Sequence, residues 1–303
     1  MAKATRKETV VIALGGNALI KEGEKGTFSE QMRNVERTVR EIAKIIEEGH
    51  RVVITHGNGP QVGNLLIQQE AGKNQVQPQP MHACGAMSQG LIGYMLQQAI
   101  ARATGKHAAT VITQVIVDGD DPAFQNPTKF VGPFYKRKRK GTVWDSGRGY
   151  RKVVPSPNPK EIVEVEAIKA LLGAEVIVIA SGGGGIPVKE KEKRLFGVEA
   201  VIDKDLAAER LAELVEADSL LILTAVPAIY IGFGTPKQQK LRKIKVPSLR
   251  KYLVEGHFPP GSMGPKVEAA ARFIERGGKR VIVTSPELAW KGFKGEAGTA
   301  ITR

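Results

Sequence analysis

Four glycine-rich loops punctuate a regular alternation of apolar runs and helix-like segments. They read GGN at 15–17, GNG at 57–59, SGGGG at 181–185 and GSMG at 261–264. Short β-branched runs at 10–14 and 51–55 precede the first two loops, and apolar residues at helical intervals follow them. This repeated order of strand, loop and helix predicts an α/β fold with a mainly parallel sheet and helices on its faces.

Local signals place several elements. Thr27 and Glu30 have the spacing of a capping box, and the apolar periodicity that follows them stops at Gly49. The pattern predicts further elements, which in chain order are a helix from 59 to about 70, helix 86–103, strand 110–117, helix 160–172, strand 175–180, a hairpin near 189–194, helix 203–216, strand 220–224 and strand 280–284.

The segment 118–159 interrupts this regularity. It is rich in Pro, Gly and charge, and it has no sustained hydrophobic period. A compact domain rarely carries so long a loop unless the loop has a function. We therefore expect a small protruding subdomain or lid in this segment.

The net charge of +14 is concentrated in two stretches. Residues 129–152 contribute +8, from nine Lys or Arg against one Asp, residues 237–251 contribute +7, and the rest is about neutral. A nucleic-acid-binding surface spreads its charge along a binding face and uses aromatic side chains, which make up only 5% of this chain. A nucleic-acid-binding protein is therefore a distant alternative. The run KRKRK at 136–140 is either a solvated loop or a means of attracting anionic substrates.

The bulk features indicate a globular enzyme of the cytoplasm. No apolar run approaches the roughly 18 residues of a membrane span, and the basic start MAKATRKE lacks the apolar region of a secretory signal. The single cysteine, Cys84, excludes an internal disulfide framework, and its small apolar neighbours predict a packed thiol.

The glycine loops also indicate a type of ligand. At the carboxyl ends of parallel strands, glycines let the backbone approach phosphate oxygens, and helix N-termini present free N–H groups to anions. One such loop is usually only a turn, whereas four at one sheet edge indicate a phosphate site. No segment has the P-loop pattern, and the dinucleotide-like GNGPQVG lacks an acidic residue about 20 positions later.

Phosphoryl transfer needs positive charge around the transferring group. Lys266 directly follows GSMG, Lys204 lies in VIDKD, and Lys129 lies in the irregular segment. Asp203 and Asp205 flank Lys204, where they either orient lysines and a Mg–nucleotide or cap a helix.

The other polar residues give no sign of a catalytic triad. His56 is interpreted as a turn or cleft residue, and Ser181 has no nucleophile-elbow context.

As a set, these motifs resemble those of carbamate kinases in the amino-acid kinase family, almost from end to end. The matching segments are ALGGNAL (13–19), THGNGPQVG (55–63), CGAMSQGLIGYML (84–96), DPAFQNPTKFVGPFY (121–135), VVPSPNP, ASGGGGIPV, GVEAVIDKDLA and GSMGPKVEAA. In RGYRKVV, Tyr150 and Lys152 stand where such enzymes usually have Trp and Arg, a mild departure that keeps size and charge.

The resemblance implies a single domain, 1–303, built as a three-layer α/β/α sandwich with the subdomain protruding at about 118–159. An N-lobe of about 1–175 would bind carbamate or carbamoyl phosphate, and a C-lobe of about 176–303 would bind Mg–ATP or Mg–ADP. Lys129 would reach over the transferring phosphoryl group, while Lys204 and Lys266 would stabilise its charge and Asp205 would organise them. The substrate contacts implied are Gly15, Gly16, Asn17, Gly57, Asn58, Ser181 and Gly182, and the nucleotide contacts are Asp203, Lys204, Thr224, Val226, Met263, Gly264 and Lys266.

The resemblance also implies Mg²⁺ carried on the nucleotide without a direct protein ligand, a homodimer in the cytoplasm, a place in arginine metabolism, and neither nucleic acid nor membrane as partner. Carbamate already presents an anionic oxygen, so the reaction needs no general base. Relatives in the wider family often have a lysine in the first glycine loop, and Lys129 would supply that charge here. The nearest alternative is another acyl-phosphate-forming kinase of this fold, acting on an amino-acid carboxylate such as acetylglutamate. The sequence is compatible with either direction of the reaction.

Overall fold

The computed structural model describes residues 7–145 and 149–303, with the side chain of Asn17 excepted. Within these ranges the helices are α1 Phe28–Glu47, α2 Gly59–Gly72, α3 Met81–Thr104, α4 Val165–Gly173, α5 Lys204–Leu214, α6 Val246–Val254, α7 Met263–Glu275 and α8 Ala289–Phe293. The strands are β1 Thr9–Leu14, β2 Arg51–His56, β3 Ala108–Thr110, β4 Gln114–Val117, β5 Lys129–Tyr135, β6 Thr142–Asp145, β7 Gly149–Val154, β8 Pro159–Ile162, β9 Ile177–Ile179, β10 Ile186–Lys191, β11 Arg194–Gly197, β12 Ser219–Leu223, β13 Ile229–Ile231, β14 Gln239–Leu241, β15 Lys243–Lys245, β16 Arg280–Thr284 and β17 Thr299–Thr302.

A mainly parallel sheet of eight strands forms the centre, in the order β15-β17-β16-β12-β1-β2-β9-β3. The strand pairs around β1 and β2 are parallel, whereas β16 and β17 pair antiparallel. Successive side chains of β1 point to opposite faces, and both sets are buried. Helices α1, α3 and α8 cover one face, and α4 to α7 cover the other. The predicted three-layer α/β/α sandwich is confirmed.

Helix α1 begins where the sequence predicts it. The Thr27 hydroxyl accepts a hydrogen bond from the backbone N–H of Glu30, and the Glu30 carboxylate accepts one from the backbone N–H of Thr27. These two bonds satisfy amide groups that the first helical turn leaves free. After the last turn, Gly49 takes a left-handed conformation with φ of 86°. The capping box and the glycine stop are both confirmed.

Two predicted elements are wrong because strand pairing overrides the local pattern. The segment 110–117 splits: β3 ends at Thr110 on the edge of the central sheet, and β4 joins a separate sheet in the order β11-β10-β4-β8. Between them Thr113 turns inward and is fully buried. The predicted helix 160–172 begins instead as β8, which pairs antiparallel with β4, so that α4 starts only at Val165.

The segment 118–159 carries a small sheet of its own. Strands β5, β7 and β6 pair antiparallel and have no partner in the central sheet, as far as the described residues show. The base of this small sheet packs on α2 and α3, through Val131 and Val154 against Val62, Leu66 and Met81. The basic run 136–140 lies exposed at its far end. One hydrophobic cluster therefore attaches the irregular segment to the main body.

The described helices and the environment of Cys84 bear on two predictions from the sequence. None of the described helices is long and apolar enough to span a membrane. Cys84 is fully buried in α3, where loss of solvent raises the pKa of its thiol. The prediction of a packed thiol is confirmed.

Candidate functional site

The candidate site lies at the carboxyl end of the central sheet. Strands β1, β2 and β9 end side by side, and the loops at 15–17, 57–59 and 181–185 follow them. The loops form one side of a cavity of about 300 Å³, and the base of the small β5-β7-β6 sheet forms another. The fold thus brings three of the four glycine loops together, and Gly261 of the fourth reaches the same cavity.

Two lysines and one aspartate form a charged centre in this cavity. The Nζ of Lys204 lies 2.6 Å from Oδ1 of Asp205, and the Nζ of Lys266 lies 3.0 Å from Oδ2. Asp205 is only 2% exposed. Burial alone would raise the pKa of its carboxyl, but the two ammonium groups outweigh burial and hold that pKa below its usual range. Asp205 is therefore an anion that fixes two cations.

The positive charge of Lys266 is only partly stabilised by its neighbours. Burial lowers the pKa of its ammonium group, and attraction to Asp205 offsets only part of that effect, partly because the charge of Lys204 opposes it. A second bond runs from Lys266 Nζ to the carbonyl oxygen of Ser262 at 3.0 Å. An anion arriving beside Lys266 would supply the missing stabilisation.

The third lysine comes from the small sheet. Lys129, at the start of β5, places its Nζ 2.8 Å from Oδ2 of Asp203. The other oxygen of Asp203 accepts a hydrogen bond from the backbone N–H of Asp205 at 2.9 Å and so caps α5. Asp203 therefore links the helix that carries Lys204 to the segment that carries Lys129.

The loops pack too tightly for side chains larger than hydrogen at key positions. A Cβ on Gly57 would lie 3.2 Å from the Lys204 side chain, and one on Gly183 would lie 2.0 Å from the Asn58 amide. A Cβ on Gly182 would lie 2.4 Å from Nε2 of His56. Close approach of the loops to one another therefore requires glycine at 182 and 183, whereas the contact of Gly57 with Lys204 is tight.

His56 supports the loops as a neutral imidazole. It is 1% exposed, and its Nδ1–H donates to the Gly57 carbonyl oxygen at 3.0 Å. Loss of solvent lowers its pKa to about 4, and the nearby charge of Lys204 acts in the same direction. At neutral pH this side chain carries no charge. His56 is the buried last residue of β2 and lines neither cavity, so the prediction of a turn or cleft residue is wrong, because the strand continues to the glycine loop.

A second cavity of about 180 Å³ adjoins the first. Its walls are mainly apolar and aromatic, and they include Tyr230, Phe233 and Phe258. Lys266 lines both cavities. A ligand with a flat apolar part and an anionic part could therefore occupy the second cavity and reach the charged centre.

The structure places the predicted site residues in three groups. The central cavity is lined by Gly16, Gly57, Asn58, Lys129, Asp203, Lys204, Asp205 and Lys266, and the second cavity by Thr224, Val226, Met263 and Lys266. The remaining glycines and Ser181 lie behind these walls: Gly15 donates to the Leu223 carbonyl oxygen, Gly264 donates to that of Pro259, and Ser181 and Gly182 are buried. The side chain of Asn17 lies outside the described part of the structure.

Several cavity residues escaped the sequence reasoning. Arg151 lines the central cavity, where its Nη1 lies 3.1 Å from Oδ2 of Asp145 and its Nε donates to the carbonyl oxygen of Gly132. Arg151 lies in the segment RGYRKVV, and the sequence indicates only its contribution to the net positive charge of 129–152. Tyr230 and Phe233 lie in AIYIGFG, a stretch without a glycine-loop pattern, and their aromatic character was the available signal.

The acidic side chains of the cavity limit how a divalent cation could be held. In the described ranges, no group of three or more His, Cys, Asp or Glu side chains is placed to hold a metal ion. The two acidic groups of the cavity, Asp203 and Asp205, are each engaged by lysine. This arrangement fits a Mg²⁺ that is held mainly by phosphate oxygens better than one caged by the protein.

Comparison with known proteins places the chain in a family. The model of the amino acid kinase family matches residues 8–285. The carbamate kinases of Pyrococcus horikoshii and Pyrococcus furiosus are 55% and 56% identical, covering 97% and 96% of this chain and 99% and 98% of theirs. The solved structure of carbamate kinase from Giardia lamblia bound to AMP-PNP has a TM-score of 0.94 at 45% identity, covering 98% of this chain and 99% of that one.

Proposed function

The chain belongs to the amino acid kinase family and, within it, to the carbamate kinases, and we propose that its central cavity transfers a phosphoryl group between ATP and carbamate. The products in that direction are ADP and carbamoyl phosphate. The observation that carries the proposal is the charged centre of Lys204, Asp205 and Lys266 at the junction of two cavities. One cavity is lined by the glycine loops and the charged side chains, and the other is mainly apolar and suits a base.

We assign charge stabilisation to the lysines. During transfer, negative charge develops on the phosphoryl oxygens and on the bridging oxygen, and fixed cations in a partly dehydrated site stabilise it. Asp205 holds Lys204 and Lys266 in place before substrate arrives, so that little reorganisation is needed during reaction. Lys129 would break its ion pair with Asp203, or keep that pair while also contacting the phosphoryl group, and would reach the transferring group from the small sheet.

The two substrates would enter from opposite sides. Carbamate would lie against Gly16, Gly57 and Asn58 in the central cavity, and the nucleotide would lie against Thr224, Val226 and Met263 in the second cavity. This division corresponds to an N-lobe of about 1–175 and a C-lobe of about 176–303, with 118–159 acting as a lid. Ser181, Gly182, Gly15 and Gly264 would then support these contacts from behind.

The reaction needs no proton acceptor on the protein. Carbamate attacks through an oxygen that is already anionic, so a general base would have no proton to remove. The neutral state of His56 is compatible with this, because its imidazole is turned to the Gly57 carbonyl. Positioning and electrostatics would account for the catalysis.

Mg²⁺ would accompany the nucleotide. Asp203, which is 9% exposed against 2% for Asp205, is the carboxylate of the central cavity that would help to hold the ion beside the phosphates. Bound Mg²⁺ would supply positive charge that neutralises part of the phosphate charge.

We further propose a homodimer that works in the cytoplasm, where ATP and ADP are available. An apolar stripe on the outer face of α3 supports the dimer. Met87, Leu91 and Tyr94 are 44%, 39% and 49% exposed at spacings of four and three residues, and Phe28 stacks on Tyr94 with ring centroids 6.5 Å apart. Side chains at these spacings share one face of a helix, and a contiguous apolar face of this kind is typical of an interface.

The proposal is tested by ATP formation from ADP, Mg²⁺ and carbamoyl phosphate. We expect turnover by the unaltered protein and a loss of about 10²- to 10³-fold in kcat in each of Lys204→Ala and Lys266→Ala, the size seen when one stabiliser of the transition state is removed. Lys169→Ala, on an exposed turn of α4 with only a surface partner, Glu166, is the matched control and should keep full activity.

Each variant must first melt cooperatively, so that lost activity is not lost folding. If the unaltered protein binds ADP but makes no ATP, carbamoyl phosphate is the wrong substrate, and a panel of acyl phosphates that includes the acetylglutamate type becomes the next assay. If turnover survives in both lysine variants, the charged centre has been assigned the wrong role.

A further inference from the structure

The loop that follows β9 has an unusual backbone. Ser181, Gly183, Gly184 and Gly185 all have positive φ, at 54°, 69°, 94° and 84°. Left-handed conformations are unfavourable for a residue with a Cβ, so Ser181 stays in this state only because its surroundings hold it there. Gly183 and Gly185 of the same loop line the central cavity. The restraint on this loop therefore bears on the shape of the site.

One side chain of α3 supplies much of that restraint. Gln89 is 2% exposed, and its amide nitrogen donates to the carbonyl oxygens of Gly182 at 3.0 Å and Thr113 at 3.2 Å. Its amide oxygen accepts from the backbone N–H of Thr113 at 2.7 Å. Both ends of the amide are thus used, and the pattern of carbonyls and N–H groups fixes which end is nitrogen.

Thr113 extends the restraint to the peptide of Ser181. Its hydroxyl accepts from the backbone N–H of Ser181 at 2.9 Å and donates to the Val111 carbonyl oxygen at 2.7 Å. On the other side, the hydroxyl of Thr55 donates to the Ser181 carbonyl oxygen at 2.9 Å. Thr55, Thr113 and Ser181 are all buried, so water cannot replace a lost partner of Ser181 without rearrangement.

The neighbouring residue of α3 holds the second glycine loop. The Asn58 amide donates to the hydroxyl of Ser88 at 2.8 Å, and that hydroxyl donates to the Gly85 carbonyl oxygen at 2.6 Å. The same Asn58 amide packs directly on Gly183. Ser88 and Gln89 therefore hold two loops that meet each other at the wall of the cavity.

We propose that Gln89 is a positioning residue for phosphoryl transfer, acting from α3 through the backbone of 181–185 and the Gly183–Asn58 contact. The inference rests on the proposed function, because it gives the loops the task of holding the small substrate. Gln89 itself does not line the central cavity. A shift of the loops of about 1 Å suffices to slow an enzyme by roughly 10²-fold, so the effect on catalysis is expected to be large.

The test compares Gln89→Leu with Gln97→Leu. Gln97 lies two turns later on α3 and also donates its amide to a backbone carbonyl, that of Ala108 at 2.8 Å, away from both loops. We expect Gln89→Leu to lower kcat/KM for carbamoyl phosphate by about 10- to 100-fold. Its affinity for ADP, measured by calorimetry, should change by less than about twofold because the second cavity is untouched. Gln97→Leu should stay within about twofold of the unaltered protein in both measurements.

A second pair of variants covers the possibility that Gln89→Leu does not fold. Thr113→Ser keeps the hydroxyl that accepts from Ser181, whereas Thr113→Val removes it at nearly the same volume. Activity should be retained in the first and reduced in the second. The inference is overturned if folded Gln89→Leu keeps its kcat/KM, or if ADP affinity falls by the same factor as kcat/KM, which would mean a general loss of structure.

Hydrogen exchange tests the role of Gln89 in holding the loop 181–185 without requiring catalytic activity. In Gln89→Leu, backbone amides of 181–185 should exchange faster than in the unaltered protein, while those of the central strands should not. This readout needs no turnover. If the unaltered protein lacks carbamate kinase activity, the proposed function fails, and unchanged exchange at 181–185 would independently reject the role of Gln89.

Discussion

At the scale of single residues, burial has opposite results for two groups of the site. Asp205 is buried and stays charged because two lysines contact it, whereas His56 is buried and stays neutral because loss of solvent and the nearby charge of Lys204 lower its pKa more than its hydrogen bond to the Gly57 carbonyl oxygen raises it. A buried carboxylate without cations would be protonated or would destabilise the fold. The two lysines thus keep Asp205 ionised, and the Asp205 carboxylate in turn fixes the positions of the two lysines.

The neutral state of His56 predicts a particular loss of stability in acid. In the unfolded chain its pKa returns to about 6.5, against about 4 in the folded protein. Its contribution to stability is complete above pH 6.5 and is lost as the pH falls through 4, because below 6.5 the unfolded state binds the proton and the folded state does not. The full loss amounts to about 3 kcal/mol.

Urea denaturation of the unaltered protein and of His56→Asn isolates this contribution. Asparagine keeps an N–H donor for the Gly57 carbonyl oxygen but does not titrate. Between about pH 7 and pH 4.5 the free energy of unfolding should fall more in the unaltered protein than in the variant. Parallel pH profiles for the two proteins would show that His56 is not the source of acid sensitivity.

At the scale of elements, α3 has two different faces. Toward the interior, Ser88 and Gln89 hold the loops of the cavity, and on the outside Met87, Leu91 and Tyr94 form the apolar stripe. Met87, Leu91 and Tyr94 share one face because they recur at spacings of four and three residues, whereas Ser88 and Gln89 follow Met87 by one and two residues and so turn away from that face. The proposed interface and the loop contacts therefore lie on different sides of α3.

The outer face of α3 predicts the effect of a single charge on assembly. Leu91→Glu places a carboxylate in the centre of the stripe, where pairing with a second copy would bury it without a partner. We expect sedimentation velocity to give about twice the chain mass of 32.7 kDa for the unaltered protein and one chain mass for the variant. Val254→Glu, at an 88% exposed position on α6, is the control and should leave the mass unchanged. A dimer that persists in Leu91→Glu would place the interface elsewhere.

The accuracy of the sequence analysis differed between elements for physical reasons. Strands 280–284 and 10–14 and helix α1 were predictable because burial pattern, capping and glycine stops all lie within one short window. The pattern at 160–162 predicts part of a helix, because the pairing of these residues with β4 depends on a strand more than 40 positions earlier. The hairpins of 118–159 were hidden by exposed, charged side chains that give no clear alternation.

Site residues, too, could be predicted where a local motif marks them and not where they depend on contacts between distant segments. Lys204, Lys266 and Asp205 could be proposed because each lies beside a local motif. The contact of Lys129 with Asp203 joins a strand of the small sheet to the N-cap of α5, 74 positions apart, and no local pattern predicts such a contact. Arg151 and the aromatic wall of the second cavity became visible only when the chain was folded.

At the scale of the whole molecule, the excess positive charge and the buried charges act separately. The net charge of +14 comes mainly from 129–152 and 237–251, and the exposed run 136–140 lies at the far end of the small sheet. The charged centre, by contrast, is partly dehydrated and nearly balanced by Asp203 and Asp205. Salt should therefore weaken long-range attraction of anions far more than it weakens the contacts within the cavity.

Because Lys266 lines both cavities and its pKa is lowered by burial, filling the site should change how many protons the protein carries. A phosphate group beside Lys266 raises its pKa again, so binding of Mg–ADP should take up protons when the free protein has lost part of them. Calorimetry across the alkaline range in pairs of buffers of different ionisation enthalpy measures this uptake, since ADP itself is then fully ionised. The apparent enthalpies should differ between buffers for the unaltered protein and agree for Lys266→Arg, which stays protonated throughout.

Equal enthalpies for the unaltered protein in both buffers would contradict this coupling. If the coupling holds, the affinity for the nucleotide depends on pH in the alkaline range, and binding becomes weaker as the pH rises. A single lysine at the junction of two cavities would then make occupancy of the site respond to alkalinity, without any separate regulatory site.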